Sequence, residues 1–331
     1  MTQRNDNLVV WYGLHVDAPA GWEILQYSRR SDEGDLAWAD RYEYRLQLFW
    51  RHAPQSPDLP RIMTDYRSRL LEDGAKAVRM EKTQGWHGLI NDTAGGSSRF
   101  GRYLKTSERL VEAVFLWPDG RSREQEQAIL SSIREEPTST DGCRRWRAFG
   151  LDARVPADLD LSACEVLPAN AKWTFSDGRR ARQSWHFERL GMLDQWLRDS
   201  PADWLAGKEP PDLSERRQQT LAAAGHTVTL VNGFVPALNF PKLGQRTNRF
   251  AAAAWICPAD GRLYHASRIV PARSEHQQPL AGHVLRCCGQ CQSTDASMDA
   301  ASNSEAAPAL DLQTQRHLQT VSNQSAAKVS T

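Results

Sequence analysis

Apolar and polar residues alternate with a period of two along much of the chain, which is the pattern of half-buried β-strands. In residues 44–50, for example, Leu46, Leu48 and Trp50 share one face and the residues between them share the other. Turn residues interrupt the alternation at 19–21, which predicts a hairpin between the strands on either side. The strands predicted in this first half are 14–18, 22–27, 35–39, 44–50, 75–82, 86–91, 98–106 and 109–117.

Other segments have the 3.6-residue period of an amphipathic helix. In the first half these are residues 57–74, where Gly74 is placed to end the helix, and residues 122–135. The second half is predicted to have helices around Trp196 and Trp204, at 213–224 and at 277–288, and strands at 227–231, 250–256 and 263–270.

The pattern repeats after a shift of 137 residues. Residues 12–50 match residues 149–187 without a gap, with six identities over 39 positions and matching aromatic positions such as Trp38 and Phe175. Beyond that stretch, Gly85-Trp86 aligns with Gly233-Phe234 and Arg109 aligns with Arg262. A repeat of this length predicts that one structural module occurs twice in the chain.

The repeat and its boundary predict the domain organisation. Residues 136–142 contain only charged, small polar, proline and glycine residues, as a linker does. We expect an α/β protein of the α+β type, with two tandem modules at 1–137 and 143–291, each a mostly antiparallel sheet flanked by helices. In residues 292–331, 24 of 40 residues are Ser, Ala, Thr or Gln and none is aromatic, which predicts a disordered C-terminal tail.

The order of elements, opening with Ala18-Pro19-Ala20-Gly21-Trp22, resembles the Mog1/PsbP-like fold over about residues 9–135 and 146–290. The second copy has Leu159 in place of the tryptophan. Proteins of that fold are mostly non-catalytic and bind other proteins. The resemblance therefore implies a partner-binding protein, although it transfers no binding residue to this chain.

Composition narrows the function classes. A net charge of +1 over 331 residues creates no global field that attracts nucleic acid or a membrane surface. No apolar stretch approaches 18 residues, so no membrane span is expected. Six cysteines and a polar start without a secretory signal predict a reduced, cytoplasmic protein.

Motifs for phosphate loops, zinc proteases and serine hydrolases are missing from the sequence. Residues repeated between the copies, such as Asp40/Asp177 and Arg109/Arg262, suit turns and strand surfaces. The sequence therefore predicts no catalytic residue and no cofactor, and it leans against an enzyme without excluding one.

One cysteine cluster carries possible chemistry. Cys287, Cys288 and Cys291 have the spacing of a metal site or a redox pair. A zinc site needs about four ligands, and the residues available to complete one are Cys257, His276 and His283. The competing interpretation is a helix end with incidental thiols, and it leads us to expect no stoichiometric metal.

The leading hypothesis is a non-catalytic protein that binds or scaffolds another protein, of unknown identity, through the duplicated modules. Two alternatives remain open. The first is a thiol- or metal-dependent protein that uses the cysteine cluster, and the second binds a small ligand in a cleft between the modules.

Overall fold

Strands account for most of the structure. A computed structural model of the chain describes residues 7–91, 96–178, 183–237, 247–274 and 278–288. Of these residues, 53% lie in strands and 13% in helices, and the strands form three sheets with antiparallel neighbours. The expected α/β class is therefore wrong, because the protein is mostly antiparallel β.

The elements fall into two sets, before and after residues 136–142. The first half (residues 7–135) contains β1 (Leu8–Trp11), β2 (Leu14–Asp17), β3 (Glu23–Tyr27), β4 (Glu33–Ala39), β5 (Tyr44–His52), α1 (Leu59–Glu72), β6 (Val78–Thr83), β7 (Trp86–Asn91), β8 (Ser97–Leu104), β9 (Arg109–Leu116), α2 (Arg123–Ser132) and β10 (Arg134–Glu135). The second half (residues 143–288) contains β11 (Cys143–Ala148), β12 (Leu151–Pro156), β13 (Asp160–Leu167), β14 (Asn170–Ser176), β15 (Ser184–Leu190), α3 (Leu193–Trp196), α4 (Pro201–Ala206), β16 (Ser214–Ala223), β17 (His226–Pro236), β18 (Thr247–Cys257), β19 (Arg262–Pro271) and β20 (Leu285–Arg286).

A six-stranded sheet contains strands from both halves. Its order is β10-β2-β1-β11-β12-β20, so each half contributes three strands. At the centre, β1 pairs with β11 through Val10 and Arg147. The predicted hairpin between 14–18 and 22–27 is wrong, because β2 belongs to this sheet and β3 to another.

Two tight turns shape the central sheet. Tyr12 and Gly13 connect β1 to β2 with φ values of 48° and 77°, and Phe149 and Gly150 connect β11 to β12 with 54° and 77°. A two-residue type I′ turn requires positive φ at both positions, and glycine adopts this conformation without a steric penalty. The same local chemistry therefore starts each half.

Each half also forms one seven-stranded sheet, and the two sheets have the same strand order. The first sheet is β3-β4-β5-β9-β8-β7-β6, and the second is β13-β14-β15-β19-β18-β17-β16. Each strand of the second sheet thus occupies the place of the strand numbered ten lower in the first. Alternating side chains give each sheet an inner face against the common core and an outer face.

Tryptophans fill the core between the halves. Trp11 is fully buried, and its ring centroid lies 5.3 Å from that of Trp146 and 5.9 Å from that of Trp173. Burying aromatic rings of this size contributes a large part of the free energy of folding. One continuous cluster of buried side chains includes residues of both halves.

The helices cover parts of the sheets. Asp58 caps α1 by accepting a hydrogen bond from the amide of Arg61 at 3.1 Å, and Ser122 caps α2 through the amide of Gln125. Both helices lie within the segments predicted to be helical. The helix α1 packs on β6 and β7, and α4 packs on β18.

Two predicted helices of the second half are wrong. Residues 213–224 are rich in helix-forming residues, yet they form the edge strand β16, whose backbone pairs with β17. This strand buries little side-chain surface, so its sequence lacks the alternation that marks a buried strand. In place of a helix at 277–288, residues 278–288 contain turns and β20, with Gly282 at a φ of 80°.

Residues 136–142 connect β10 to β11. The Glu136 amide donates a hydrogen bond to the Gly13 carbonyl at 2.8 Å, and the Glu136 carboxylate contacts His15 Nδ1 at 3.1 Å. The predicted tail, residues 292–331, lies outside the described residues. No helix in the part of the chain that the structure describes is long and apolar enough to cross a membrane.

Candidate metal centre

Four ligand-type side chains meet where the second seven-stranded sheet approaches the central sheet. His226 is the first residue of β17, Cys257 is the last residue of β18, and Cys287 and Cys288 directly follow β20. Three segments that are distant in sequence therefore contribute to one cluster.

Local structure explains the positions of His226 and Cys257. Ala224 and Gly225, with φ values of 51° and 76°, form the tight turn from β16 to β17 and place His226 at the start of the strand. Because side chains alternate along a strand, Cys257 shares a face with Trp255 of the buried core. The two side chains thus point inward at the same end of the sheet.

The ligand atoms of the cluster are close enough together to surround one metal ion. The four ligand atoms lie within 4.8 Å of one another. The Nε2 atom of His226 is 3.3 Å from the Cys287 sulfur and 3.5 Å from the Cys288 sulfur. A zinc ion with about 2.3 Å bonds to sulfur and 2.0–2.1 Å bonds to nitrogen places its ligand atoms about 3.5–3.8 Å apart.

Hydrogen bonds orient two of the four side chains. The Nδ1 atom of His226 lies 2.6 Å from the Ala224 carbonyl oxygen, to which it can only donate. A neutral imidazole then has an unprotonated Nε2, which is the atom that faces the thiols. The indole nitrogen of Trp255 donates to the Cys287 sulfur at 3.3 Å. Such outer contacts are typical of metal-ligating histidines and thiolates.

The cluster is shielded from water, since at most 6% of any of its four side chains is exposed. Burial is the main cause that raises the pKa of the Cys257 thiol, and the nearby Cys288 and Asp260 raise this pKa further. A bound cation would reverse this effect, because a metal ion stabilises thiolates at its ligand positions.

The sequence prediction identified part of this site. Cys287 and Cys288 lie together with Cys257, one of the residues named to complete it. Another, His283, instead lies 3.9 Å from the carboxylate of Asp141. Cys291 and His276 lie outside the described residues.

His226 was missed as a ligand because no local motif marks it. The alignment of the two halves placed Gly85-Trp86 opposite Gly233-Phe234, whereas strand order places the turn before Trp86 opposite the turn before His226. Each of these turns has two residues, Gln84-Gly85 in the first half and Ala224-Gly225 in the second, and the second residue is glycine. An alignment that matched these two turns would have placed His226 opposite Trp86.

Other residues singled out in the sequence have structural contacts. The Asp40 carboxylate accepts hydrogen bonds from the amides of Tyr42 and Glu43, both at 2.8 Å, and so stabilises the turn before β5. Arg109 donates to the carbonyl of Tyr12, and Arg262 donates to the carbonyl of Ala169 at 3.0 Å. These contacts agree with the structural interpretation of the repeated residues.

A cavity of about 720 Å³ lies beside the cluster and is lined by both halves, including Cys287 and Cys288. Two ion pairs lie in its wall. Arg189 is 3.4 Å from Asp260, and Arg147 is 3.8 Å from Asp152. If the protein binds a small ligand between the two halves, as the second alternative from the sequence states, this cavity is where the ligand would bind.

No protein-family model and no curated protein matches the chain. Among solved structures, the chain is similar to the immunity protein TplEi of the T6SS from Pseudomonas aeruginosa, complexed with "L" peptide. The match has 10% sequence identity and a TM-score of 0.28, and it covers 78% of this chain and 91% of that one. A likeness this weak supports no inference about function, and the resemblance to the Mog1/PsbP-like fold stays a prediction.

Proposed function

We propose that His226, Cys257, Cys287 and Cys288 bind one Zn²⁺ ion in a structural site. The observation that supports this proposal is the convergence of three thiols and one imidazole, all buried, within 4.8 Å. Thiolate and imidazole ligands favour zinc over the hard cations Mg²⁺ and Ca²⁺, which prefer oxygen ligands. The proposal replaces the sequence-based expectation of no stoichiometric metal.

The donor set favours a structural role over a catalytic one. Four protein ligands complete a tetrahedral zinc site and leave no position for water or substrate. The proposed ion would fasten the end of β20, at the edge of the central sheet, to β17 and β18 of the second seven-stranded sheet. Its contribution is then to the stability of the second half.

The proposal is tested on full-length protein that is purified without chelators. Elemental analysis is expected to find about one zinc ion per chain, and Co²⁺ substitution is expected to give the visible absorption of tetrahedral thiolate coordination. The variant Cys257→Ser should lose the metal. Cys143→Ser is the matched control, because Cys143 is a similarly buried thiol outside the cluster. Metal-free protein that binds neither ion would overturn the proposal.

We further propose that the two halves are copies of one module, divided at residues 136–142. Their identical strand orders support this proposal. So do two contacts between residues 137 positions apart: Val10 pairs with Arg147, and the Tyr27 hydroxyl lies 3.4 Å from the Cys164 carbonyl oxygen. A two-fold relation between copies brings equivalent residues together in this way. An experimental structure in which residues 8–135 fail to superpose on 143–288 in the same strand order would contradict it.

A second functional proposal is that the first half binds another protein, as the sequence hypothesis states. The observation that favours it is a groove of about 460 Å³ beside α1, lined by Phe49, Ile62 and Tyr66 among others. Phe49 is 37% exposed on the outer face of β5, and Arg51 at the same groove has no ion pair with a described residue. An exposed apolar side chain at the edge of a groove suits a partner segment that places an apolar side chain there.

Cross-linking in the native cell, followed by mass spectrometry, would identify the partner, and binding would then be measured with purified proteins. The variant Phe49→Glu is expected to weaken binding at least tenfold. The control is Tyr42→Glu, which changes a side chain that is 80% exposed and outside the groove. Equal affinity of Phe49→Glu and the unmodified protein would exclude this groove.

A further inference from the structure

A second cavity in the second half is lined by arginines. It has a volume of about 440 Å³ and lies on β16 to β19, at the end of the second sheet far from the cysteines. Arg217, Arg249 and Arg268 line it, together with the apolar side chains of Phe234 and Val270. Among the described lining residues, Glu215 is the only carboxylate.

Strand register brings the arginines to one face. Arg217 pairs with Asn232, Asn232 with Ala251, and Ala251 with Arg268, so one row crosses four strands. Directly paired residues of antiparallel strands point to the same side of the sheet. The small side chain of Ala251 leaves open space between the arginines on either side of it.

Arg249 belongs to the next row on the same face. It lies two residues from Ala251 along β18, and it pairs with Phe234 and Val270. Because side chains alternate, Arg249 and Ala251 point to the same side. Three guanidinium groups therefore surround a cavity that has an apolar wall.

Arg268 forms the floor of the cavity and is only 7% exposed. Its Nη1 atom is shielded from solvent and has no hydrogen-bond partner among the residues that the structure describes. Its guanidinium carbon lies 5.3 Å from the ring centroid of Trp185, which places the cation over the face of the indole. Buried charges are normally paired, so an unpaired one beside a cavity indicates a missing anionic partner.

The surroundings confirm the excess of positive charge. Burial, followed by the charge of Arg249, lowers the pKa of Arg268 to about 10, which leaves the group charged at neutral pH. Arg217 and Arg249 are exposed at the rim, and neither forms an ion pair with a residue in the described part of the chain. By contrast, Arg216 on the same strand is paired with Glu209 at 2.6 Å.

We propose that this cavity binds an oxyanion, either a carboxylate or a phosphate, borne by a small molecule. Arg268 would bind the anion at the floor, with Arg217 and Arg249 at the rim, since guanidinium groups match the geometry of both oxyanions. The volume exceeds that of a single phosphate, and Phe234 and Val270 provide a surface for an apolar part of the ligand. This site is separate from the proposed zinc site and does not depend on it.

Thermal unfolding and calorimetry on the full chain test this proposal, with inorganic phosphate and glutarate as separate probes and sodium chloride at equal ionic strength as the reference. At least one probe is expected to raise the unfolding temperature above the chloride reference and to bind measurably at about 10 mM. The larger response distinguishes a phosphate ligand from a carboxylate ligand. No response to either probe, or an equal response to chloride, would overturn the proposal.

The variant Arg268→Met keeps an unbranched apolar chain about as long as the methylene stem of arginine, and it removes the guanidinium group and its charge. We expect it to bind the active probe at least tenfold more weakly and to unfold, without the probe, at the same or a higher temperature. Arg216→Gln is the matched control and should bind like the unmodified protein. If Arg268→Met fails to fold, Arg249→Gln decides, with an expected loss of at least threefold. Unchanged binding by the folded variant would contradict the proposal.

Discussion

The two halves close their seven-stranded sheets in different ways. In the first half, α2 lies between β9 and β10 and buries Ile129 and Leu130 in the core. In the second half, the described residues between β19 and β20 contain no helix, and the cluster of His226 and the cysteines lies at the corresponding place. The proposed metal site of the second half therefore lies where the first half has a helix.

The correspondence extends to single positions. Trp86 begins β7 as His226 begins β17, and the Trp86 indole donates to the carbonyl of Leu130 in α2 at 3.1 Å. Leu104 ends β8 as Cys257 ends β18. Apolar packing and one hydrogen bond thus stand in the first half where ligand atoms stand in the second. In the first half α2 leads directly into β10, and in the second half the proposed zinc ion would hold β20 to β17 and β18.

The largest expected effect comes from removing the metal ligands. The variant His226→Ala should lose zinc and about 3 kcal/mol or more of unfolding free energy, because structural zinc sites contribute directly to folding. Thermal unfolding with and without a strong chelator measures the effect, and the chelator should destabilise only the unmodified protein. If the chelator leaves the unmodified protein unchanged, the second half does not depend on a metal.

The closure of the first half should not depend on the chelator. Trp86→Ala is expected to cost about 3–5 kcal/mol, because it removes a fully buried aromatic side chain and its hydrogen bond to Leu130. Chemical denaturation should give the same loss with and without the chelator, because no metal is involved. A loss that depends on the chelator would show that the two closures are coupled.

Two of these elements, β7 and α1, were predicted correctly from the sequence. The strand β7 begins at Trp86, where the sequence predicted a strand to begin. The helix α1 was recognised because its apolar residues recur at helical spacing. The edge strand β16 could not be identified, because its exposed side chains carry no alternation and its pairing with β17 is a long-range effect. The predicted α/β class was wrong in part because this segment was counted as a helix and not as a strand.

The metal cluster shows a different limit. Cys287 and Cys288 are adjacent in sequence, but Cys257 and His226 reach them only through the packing of β17, β18 and the segment after β20. Zinc motifs are recognised from sequence when ligands come in local pairs, and this site has one such pair. The fourth ligand therefore becomes visible only in the folded chain.

A smaller effect concerns Glu136, which follows β10 as Cys287 follows β20. The hydrogen bond from His15 is the main cause that lowers the pKa of Glu136, and Arg145 lowers it further. A lowered pKa in the folded state means that the stabilisation is present above the unfolded pKa of about 4.3 and is lost as the pH falls through the folded value. Glu136→Gln should cost about 1 kcal/mol or less at pH 7 and nothing at pH 2–3.

Unfolding free energies of both proteins as a function of pH measure this difference. His15 also lies 3.7 Å from Asp17, so Asp17→Asn is the control for a general change of charge near the imidazole. The control should retain the hydrogen bond between His15 and Glu136 and most of the acid-dependent loss. If Glu136→Gln and the unmodified protein lose stability in parallel below pH 5, the contact is too weak to matter.

The smallest expected effect tests whether the ligand set is complete. Cys291 was a sequence candidate for the site, but His226, Cys257, Cys287 and Cys288 already provide four ligand atoms. Because a tetrahedral zinc ion accepts no fifth protein ligand in a closed site, Cys291→Ser should keep one zinc ion per chain and an unchanged unfolding temperature. Cys288→Ser, by contrast, should lose the zinc ion and unfold at a lower temperature. Zinc loss in Cys291→Ser would mean that Cys291 takes the place of one of the four proposed ligands. The imidazole of His226 would then be the ligand replaced, because a fourth thiolate completes a four-cysteine site.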